Sequence, residues 1–287
     1  MTGSFCRALP LVKIVLGTCS AAGVGTLVYA LENSLTVDAF ELVVHPVKLP
    51  WSHNGLHNSL DIASVRRGWE VYKQVCAACH SMRYLHFRHF VDAFMTEEEA
   101  KREAAQFTIR DINDDGETIE RERRITDNLC SPYPNNKAAA VANNGIVPPD
   151  LSLMAWARKG NEDYLFSLMN GYTDPPAGVK VGDGKAYNPY FPGGIIGMPK
   201  QLFDEGIEYS DGTIATESQQ AKDVCTFMRW AAEPFHDTRK RLGLKIASSI
   251  PFIAFVLIYA KRKAWTFIES QKFVFKTVKG RERPGTK

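Results

Sequence analysis

A mainly α-helical fold with long irregular loops, followed by one C-terminal transmembrane helix, is predicted by three observations. Apolar residues recur at helical spacing in several separate stretches, some opened by capping residues. Segments dense in Gly and Pro lie between them, above all residues 172–199. Near the C-terminus a charge-free apolar run sits between two clusters of Lys and Arg.

The elements follow in chain order. Residues 1–36 read as a targeting or sorting segment: Arg7 and Lys13 precede the uncharged run Ile14–Leu31, and no acid appears before Glu32. Removal and retention as an N-terminal membrane segment are both open. Residues 37–240 read as one domain. Within it, Val65, Trp69, Tyr72, Cys76 and Cys79 place an amphipathic helix over Ser64–Cys79. The charge-crowded stretch Glu97–Asp127 reads as a solvated excursion with a helix from about Thr96 to Ala105. Asn161 caps a short helix that closes on Asn170-Gly171. Thr216-Glu-Ser-Gln219 is a capping box, and Ala221, Val224, Cys225, Met228 and Ala232 line one face of the helix it opens.

Ile246–Ala260 is the apolar run. Fifteen residues of helix span only about 22 Å against a hydrocarbon core of roughly 30 Å. Leu244 and Trp265 extend it, and Lys245 and Lys261 can snorkel. The predicted anchor is therefore 244–265, with Pro251 in its early turns and a basic tail at 266–287. Of the 35 Lys/Arg and 32 Asp/Glu, thirteen basic and two acidic residues lie from Arg239 onward. That end carries +11 and the residues before it −8, an asymmetry that points to two different neighbours.

Six cysteines in 287 residues exclude a disulfide scaffold. Cys225 reads as a buried thiol on a helix, and only Cys76 and Cys79 form a motif, Cys76-Ala-Ala-Cys79-His80. Three chemistries use such a pair. A dithiol redox centre needs a strand before it, whereas a helix precedes this one. A zinc site needs two further ligands at finger-like distance, which the sequence downstream does not supply. The third chemistry is covalent attachment of c-type haem, with both thiols on one side and an imidazole next to them for the iron. A six-coordinate haem needs a second axial ligand, and a soft thioether would raise its reduction potential. Met82, Met95, Met154, Met169, Met198 and Met228 are available. Met82 is too near His80, and Met169 and Met228 fall on predicted helices. Met154 stays open, while Met198 follows Phe191-Pro-Gly-Gly-Ile-Ile-Gly197, where small residues let backbone approach a flat cofactor, and pattern favours it.

Six blocks in order, "PWSHNGLHNSLD" (50–61), "VRRGWEVYKQVCAACHSMRY" (65–84), "ANNGIVPPDLS" (142–152), "NEDYLFSLMNGY" (161–172), "YNPYFPGGIIGMP" (187–199) and "DGTIATESQQAKDVCTFMRWAAEP" (211–234), resemble the cytochrome c1 family. The resemblance implies a class I cytochrome c-like haem domain carrying one covalently bound c-type haem. It implies thioether attachment at Cys76 and Cys79, His80 as proximal and Met198 as distal iron ligand. It also implies Asn143 and Arg158 near a propionate, with Pro149 and Tyr164 against the macrocycle. Residue pattern alone leaves Arg158 as a surface charge and Tyr164 as a core aromatic. The implied function is one-electron transfer within the respiratory bc1 complex, from the Rieske iron–sulfur protein to soluble cytochrome c, linked to ubiquinol oxidation and proton translocation. The implied partners are those two proteins, cytochrome b, other bc1-complex subunits and membrane lipid, with no nucleic acid. The implied location is the mitochondrial inner membrane, with the haem domain in the intermembrane space and the tail in the matrix. Another membrane-anchored c-type cytochrome, a thiol–disulfide oxidoreductase and a zinc-holding membrane anchor are the alternatives. Trp156 stands where animal members carry a basic residue, and Phe107–Asn128 departs from the family pattern.

Overall fold

The computed structural model describes residues 44–271, so the leader 1–36 and residues 272–287 of the basic tail lie outside the described residues. Among these residues the protein is mainly helical, with two small antiparallel ladders. Helix α1 (Ile62–Gln74) opens on Asp61, whose Oδ1 accepts from Ser64 N at 3.2 Å. It buries Val65, Gly68, Trp69 and Tyr72 on one face, as the period predicts. The helix does not reach Cys79. Val75 turns to φ −117°, and Cys76–Ala78 winds more tightly as a 3₁₀ turn. The tighter winding brings Cys79 N to Cys76 O at 3.1 Å.

Helix α2 (Glu97–Ala105) has the expected start, with Thr96 Oγ1 and Glu99 exchanging a full capping box. It is not merely solvated: Ala100 and Ala104 are buried, and Glu103 accepts from Trp69 Nε1 at 3.1 Å. The rest of the charged excursion is a hairpin, β1 (Thr108–Ile112) against β2 (Thr118–Glu122). Asn113 and Gly116 close its turn, with Gly116 at φ +81°. Arg121 joins Asp111 on the facing strand at 2.6 Å and Asp127 beyond the ladder at 2.7 Å, so the side chains that pair on the hairpin are charged rather than apolar. That composition hid the hairpin.

Short helices α3 (Asn136–Ala142) and α4 (Met154–Ala157) precede α5 (Asn161–Asn170). Asn161 is the first residue of α5 rather than its cap. The left-handed turn falls on Gly160 (φ 95°) and Asn161 (φ 48°), which moves the capping position to Gly160. Residues 172–199 are irregular except for a two-residue ladder, β3 (Ala186–Tyr187) with β4 (Ile195–Ile196).

Helix α6 (Glu217–Ala232) is the centre of the core. Only half of the expected capping box forms. Thr216 Oγ1 accepts from Gln219 N, but Thr216 N already donates to Ile214 O at 3.0 Å. Gln219 Nε2 turns instead to Asp223 Oδ2 at 2.8 Å. Nearly every residue from Gln220 to Ala231 is buried, not one face alone. Trp69, Tyr72, Phe87, Phe90, Phe94, Phe227 and Trp230 pack ring against ring, with Trp69 stacked on Tyr72 at 5.6 Å. Cys225 is buried as expected. Crossing of α1 on α6 depends on Gly68: a Cβ there would meet Asp223 O at 2.1 Å.

Helix α7 (His236–Ser270) runs 35 residues without a break at Pro251 and contains the predicted anchor. It is long and apolar enough to cross a membrane. The expected boundary between domain and anchor falls inside this helix, because Arg239-Lys240-Arg241 is helical too. Lys240 is bound to the body: its Nζ donates to the carbonyls of His53, Gly55 (2.8 Å) and Asn58 (3.1 Å). Asp237 Oδ1 accepts from Leu60 N at 3.2 Å. Replacing Lys240 with Met leaves three carbonyls without this donor. Hydrogen exchange of the Asn58 amide, which donates to Gly55 O, should accelerate by about tenfold, corresponding to roughly 1.4 kcal/mol. Unchanged exchange would show that the joint does not depend on the ammonium.

Candidate functional site

The site grows out of the C-terminal end of α1. The tight 3₁₀ turn that begins at Cys76 is capped by Cys79, so the two thiols sit at the two ends of a single turn. His80 follows, its N bonded to Cys76 O at 2.9 Å and its carbonyl accepting from Tyr72 Oη at 3.1 Å. His80 Nδ1 donates to Pro149 O at 2.7 Å. A carbonyl only accepts, so the proton is on Nδ1 and Nε2 carries the free lone pair, the ligating form. Burial lowers the imidazole pKa against the opposing pull of the Pro149 carbonyl and Asp150, which favours that neutral form.

The segment that offers Pro149 is zipped to the motif strand. Asp150 Oδ2 accepts from Ser81 Oγ at 2.9 Å and Arg83 N at 2.8 Å, and its Oδ1 from Ser152 N at 2.9 Å. Leu151 N donates to Ser81 O at 2.9 Å, and Tyr84 N to Ser152 Oγ at 3.2 Å. Burial pushes the Asp150 carboxyl up, but the donors from Arg83, Ser152 and Ser81 hold it below the usual range.

The Gly-Pro loop that carries Met198 meets the same segment through Gly197. A Cβ on Gly197 would lie 2.1 Å from Ile146 Cδ1, so the loop backbone rests directly on Ile146. Residues 146–149 thus touch the Met198 loop at one end and His80 at the other. Tyr172 Oη holds the loop by donating to Met198 O at 3.0 Å. The competing methionines are used elsewhere. Met82, Met154 and Met228 are buried in the core, and Met95 and Met169 pack against it.

The supporting residues fall into two groups. Arg158 is exposed and hydrogen-bonds only the Ala157 carbonyl among the described residues. Its charge reaches Tyr164, whose hydroxyl is pushed up by burial and down by Arg158. Tyr172 is pushed up to about 12 by burial and by Tyr164, and its hydroxyl donates to the Met198 carbonyl. Asn143 caps the end of α3 and donates both amide protons locally, to Tyr133 Oη and Ala139 O. A propionate role would require it to release one of them. Exposed Pro149 is joined by exposed Ile146, Val147, Leu153 and Trp156. The Arg229 guanidinium lies 4.0 Å over the Trp156 ring, so positive charge is present there although position 156 is not basic. His86 and His89 stay local, His89 Nδ1 accepting from His86 N.

A cleft of about 280 Å³ opens beside Cys79, lined by Ser81, Arg83, Tyr133, Val147 and Pro148 among others. A larger groove of about 530 Å³, lined by Arg66, Glu70, Lys73 and Glu103, contains none of the predicted site residues. The donor set fits a haem: two thiols at the ends of one 3₁₀ turn, one fixed neutral imidazole, one thioether outside the core, and exposed apolar side chains nearby. It fits the alternatives poorly. Burial, with Cys79 adding, pushes the Cys76 thiol up to about 12, the opposite of an attacking thiolate. Among the described residues no group of three or more His, Cys, Asp or Glu converges to hold a metal ion.

Tyr172, Asp150 and Ile146 escaped the residue pattern. Only Asp150, two residues before Ser152 and after Pro-Pro, carried a local signal, that of a side chain bonding its own backbone.

Fold and site together define a c-type cytochrome joined to an apolar helix long enough to cross a membrane. The family model of the cytochrome C1 family matches residues 51–268, and the chain belongs to that family. It is 47% identical over 275 residues to the Saccharomyces cerevisiae protein named cytochrome c1, heme protein, mitochondrial, covering 94% of this chain and 89% of that one. It is 45% identical over 268 residues to a Candida albicans protein named cytochrome b-c1 complex catalytic subunit, mitochondrial, covering 92% and 93%. An Arabidopsis thaliana protein named cytochrome c1 2, heme protein, mitochondrial, is 48% identical over 230 residues, covering 80% and 75%.

Proposed function

We propose that this chain is the haem-bearing electron carrier of a mitochondrial bc1 complex. It takes one electron from a Rieske iron–sulfur protein and passes it to soluble cytochrome c, as a subunit of ubiquinol–cytochrome c oxidoreductase. Cys76 and Cys79 would hold the haem by thioether bonds, and His80 Nε2 and Met198 Sδ would ligate its iron. When bound, the haem supplies a one-electron ferric–ferrous couple. The chain's own residues do the rest. Pro149 O keeps the His80 proton on Nδ1, and Tyr172 steadies the Met198 backbone. Arg158 offers an exposed guanidinium suited to a propionate, and Pro149 and Tyr164 offer flat contact. No side chain acts as a general acid or base.

The observation that carries this reading is the pairing of two thiols at the ends of one 3₁₀ turn with an imidazole whose tautomer is set by Pro149. The rest is consistent. Residues before Arg239 carry −8, the sign that steers a basic carrier. Helix α7 would anchor the chain in the inner membrane, with the haem domain of 37–240 in the intermembrane space. The basic end would lie in the matrix, as the positive-inside rule favours. Cytochrome b and lipid would surround the anchor.

Covalent retention tests the assignment. Protein denatured and stripped with acidic solvent should keep its haem band, and the Cys76→Ala/Cys79→Ala double variant should lose essentially all of it. A wild-type protein that releases its haem would refute thioether attachment.

A further inference from the structure

We infer that Asp150 is a positioning residue for the axial histidine, and that its carboxylate sets the reduction potential through fixed negative charge. The inference rests on the reading of His80 as an iron ligand. It goes further by assigning a role to a residue outside the ligand set.

The geometry is specific. Both carboxylate oxygens of Asp150 are engaged, by Ser81 Oγ (2.9 Å), Arg83 N (2.8 Å) and Ser152 N (2.9 Å). Two of the three donors belong to residues one and three positions after His80. Asp150 itself follows Pro149, whose carbonyl takes the Nδ1 proton at 2.7 Å. The carboxylate therefore closes a ring: His80 to Ser81 through the chain, Ser81 to Asp150 through its hydroxyl, Asp150 to Pro149 through the chain, and Pro149 back to His80. Leu151 N to Ser81 O (2.9 Å) fixes the register of that ring. A slip of one residue would withdraw the carbonyl from the imidazole.

A carboxylate so close to the ligand also acts through space. The oxidised iron carries one more positive charge than the reduced, and a partly buried negative charge stabilises the oxidised form more. No Lys or Arg side chain pairs with Asp150 among the described residues, so neutral donors alone disperse its charge. Asp150 should hold the potential below the value the ligands alone would set.

Two substitutions separate this from a purely structural role. Asp150→Asn removes the charge. It should shift the ferric–ferrous equilibrium toward ferrous by about three- to tenfold, about 30–60 mV upward in a potentiometric titration of the purified complex. Ser81→Ala removes one donor and leaves the charge less dispersed, so the shift should be about twofold in the opposite direction. A merely structural zip would be weakened by both and would move the potential the same way in both. Shifts of one sign, or none, would overturn the inference. If Asp150→Asn does not load haem, the sign of the Ser81→Ala shift decides alone, a downward shift supporting and any other result refuting. The visible spectrum is the control for the underlying reading. A His80→Ala protein that keeps the wild-type low-spin spectrum would refute the ligand assignment instead.

Discussion

Replacing Met198 with Leu is expected to lower the reduction potential by a few hundred millivolts, out of the roughly 0.8 V range that axial ligands command. The soft thioether favours ferrous iron, and a leucine offers no lone pair at all. The effect should be confined to the cofactor. Met198 lies outside the hydrophobic core, on a loop whose position is held by backbone, with Tyr172 on its carbonyl and Gly197 against Ile146. Leu nearly conserves the volume, so the protein should fold and attach haem through Cys76 and Cys79. Potentiometry and the visible spectrum of the purified complex measure it. A variant that stays six-coordinate at high potential would mean that another side chain is the distal ligand. Met154 would then need to leave the core, which its burial opposes.

Gly68→Ala should destabilise the folded body by about 3 kcal/mol, the upper end for forcing an extra methyl into a packed core. The new carbon would sit 2.1 Å from Asp223 O and 2.6 Å from Phe227 Cβ. The first obstacle is backbone of α6 and cannot rotate away, so α1 and α6 must part. Parting them strains a buried polar cluster. Asp223 is fully buried and accepts from Ser64 Oγ (2.6 Å), Arg67 Nε (2.9 Å) and Gln219 Nε2 (2.8 Å), two from α1 and one from α6. A buried carboxylate that loses donors costs more than an apolar misfit. Against a total of about 5–15 kcal/mol for a typical domain, this is a large share. Thermal unfolding followed by Trp fluorescence, with Trp69 and Trp230 beside the crossing, should show a midpoint several degrees lower. An unchanged midpoint would show that the crossing relaxes without loss.

Much of the candidate site was legible because its signals are local. Cys76, Cys79 and His80 are adjacent, and a side chain's identity announces its chemistry. Helices with strong apolar period, α1 and α6, emerged in the right places, although α1 ends at Gln74 rather than at Cys79. Thr96 and Thr216 marked their helix starts because a hydroxyl there accepts a backbone proton wherever the chain turns helical. Misses share a cause as well. The hairpin Thr108–Glu122 is built from charged pairs, so its alternation carried little apolar contrast. Cys76–Ala78 left the α-helix for a 3₁₀ turn, which has no composition of its own.

The residue types thus determined the mainly helical class, the long apolar helix and the attachment chemistry we propose, since each depends on side chains present in a short window. Tertiary structure decided how His80 and the Met198 loop are held. His80 and Pro149 are 69 residues apart, and their bond is made to a backbone carbonyl. Every residue has such a carbonyl, so no residue letter marks the one that will be used. Gly197 on Ile146 and Tyr172 on the Met198 carbonyl are of the same kind. Contacts of backbone, distant in the chain and without a side-chain signature, exist only once the fold has brought their segments together.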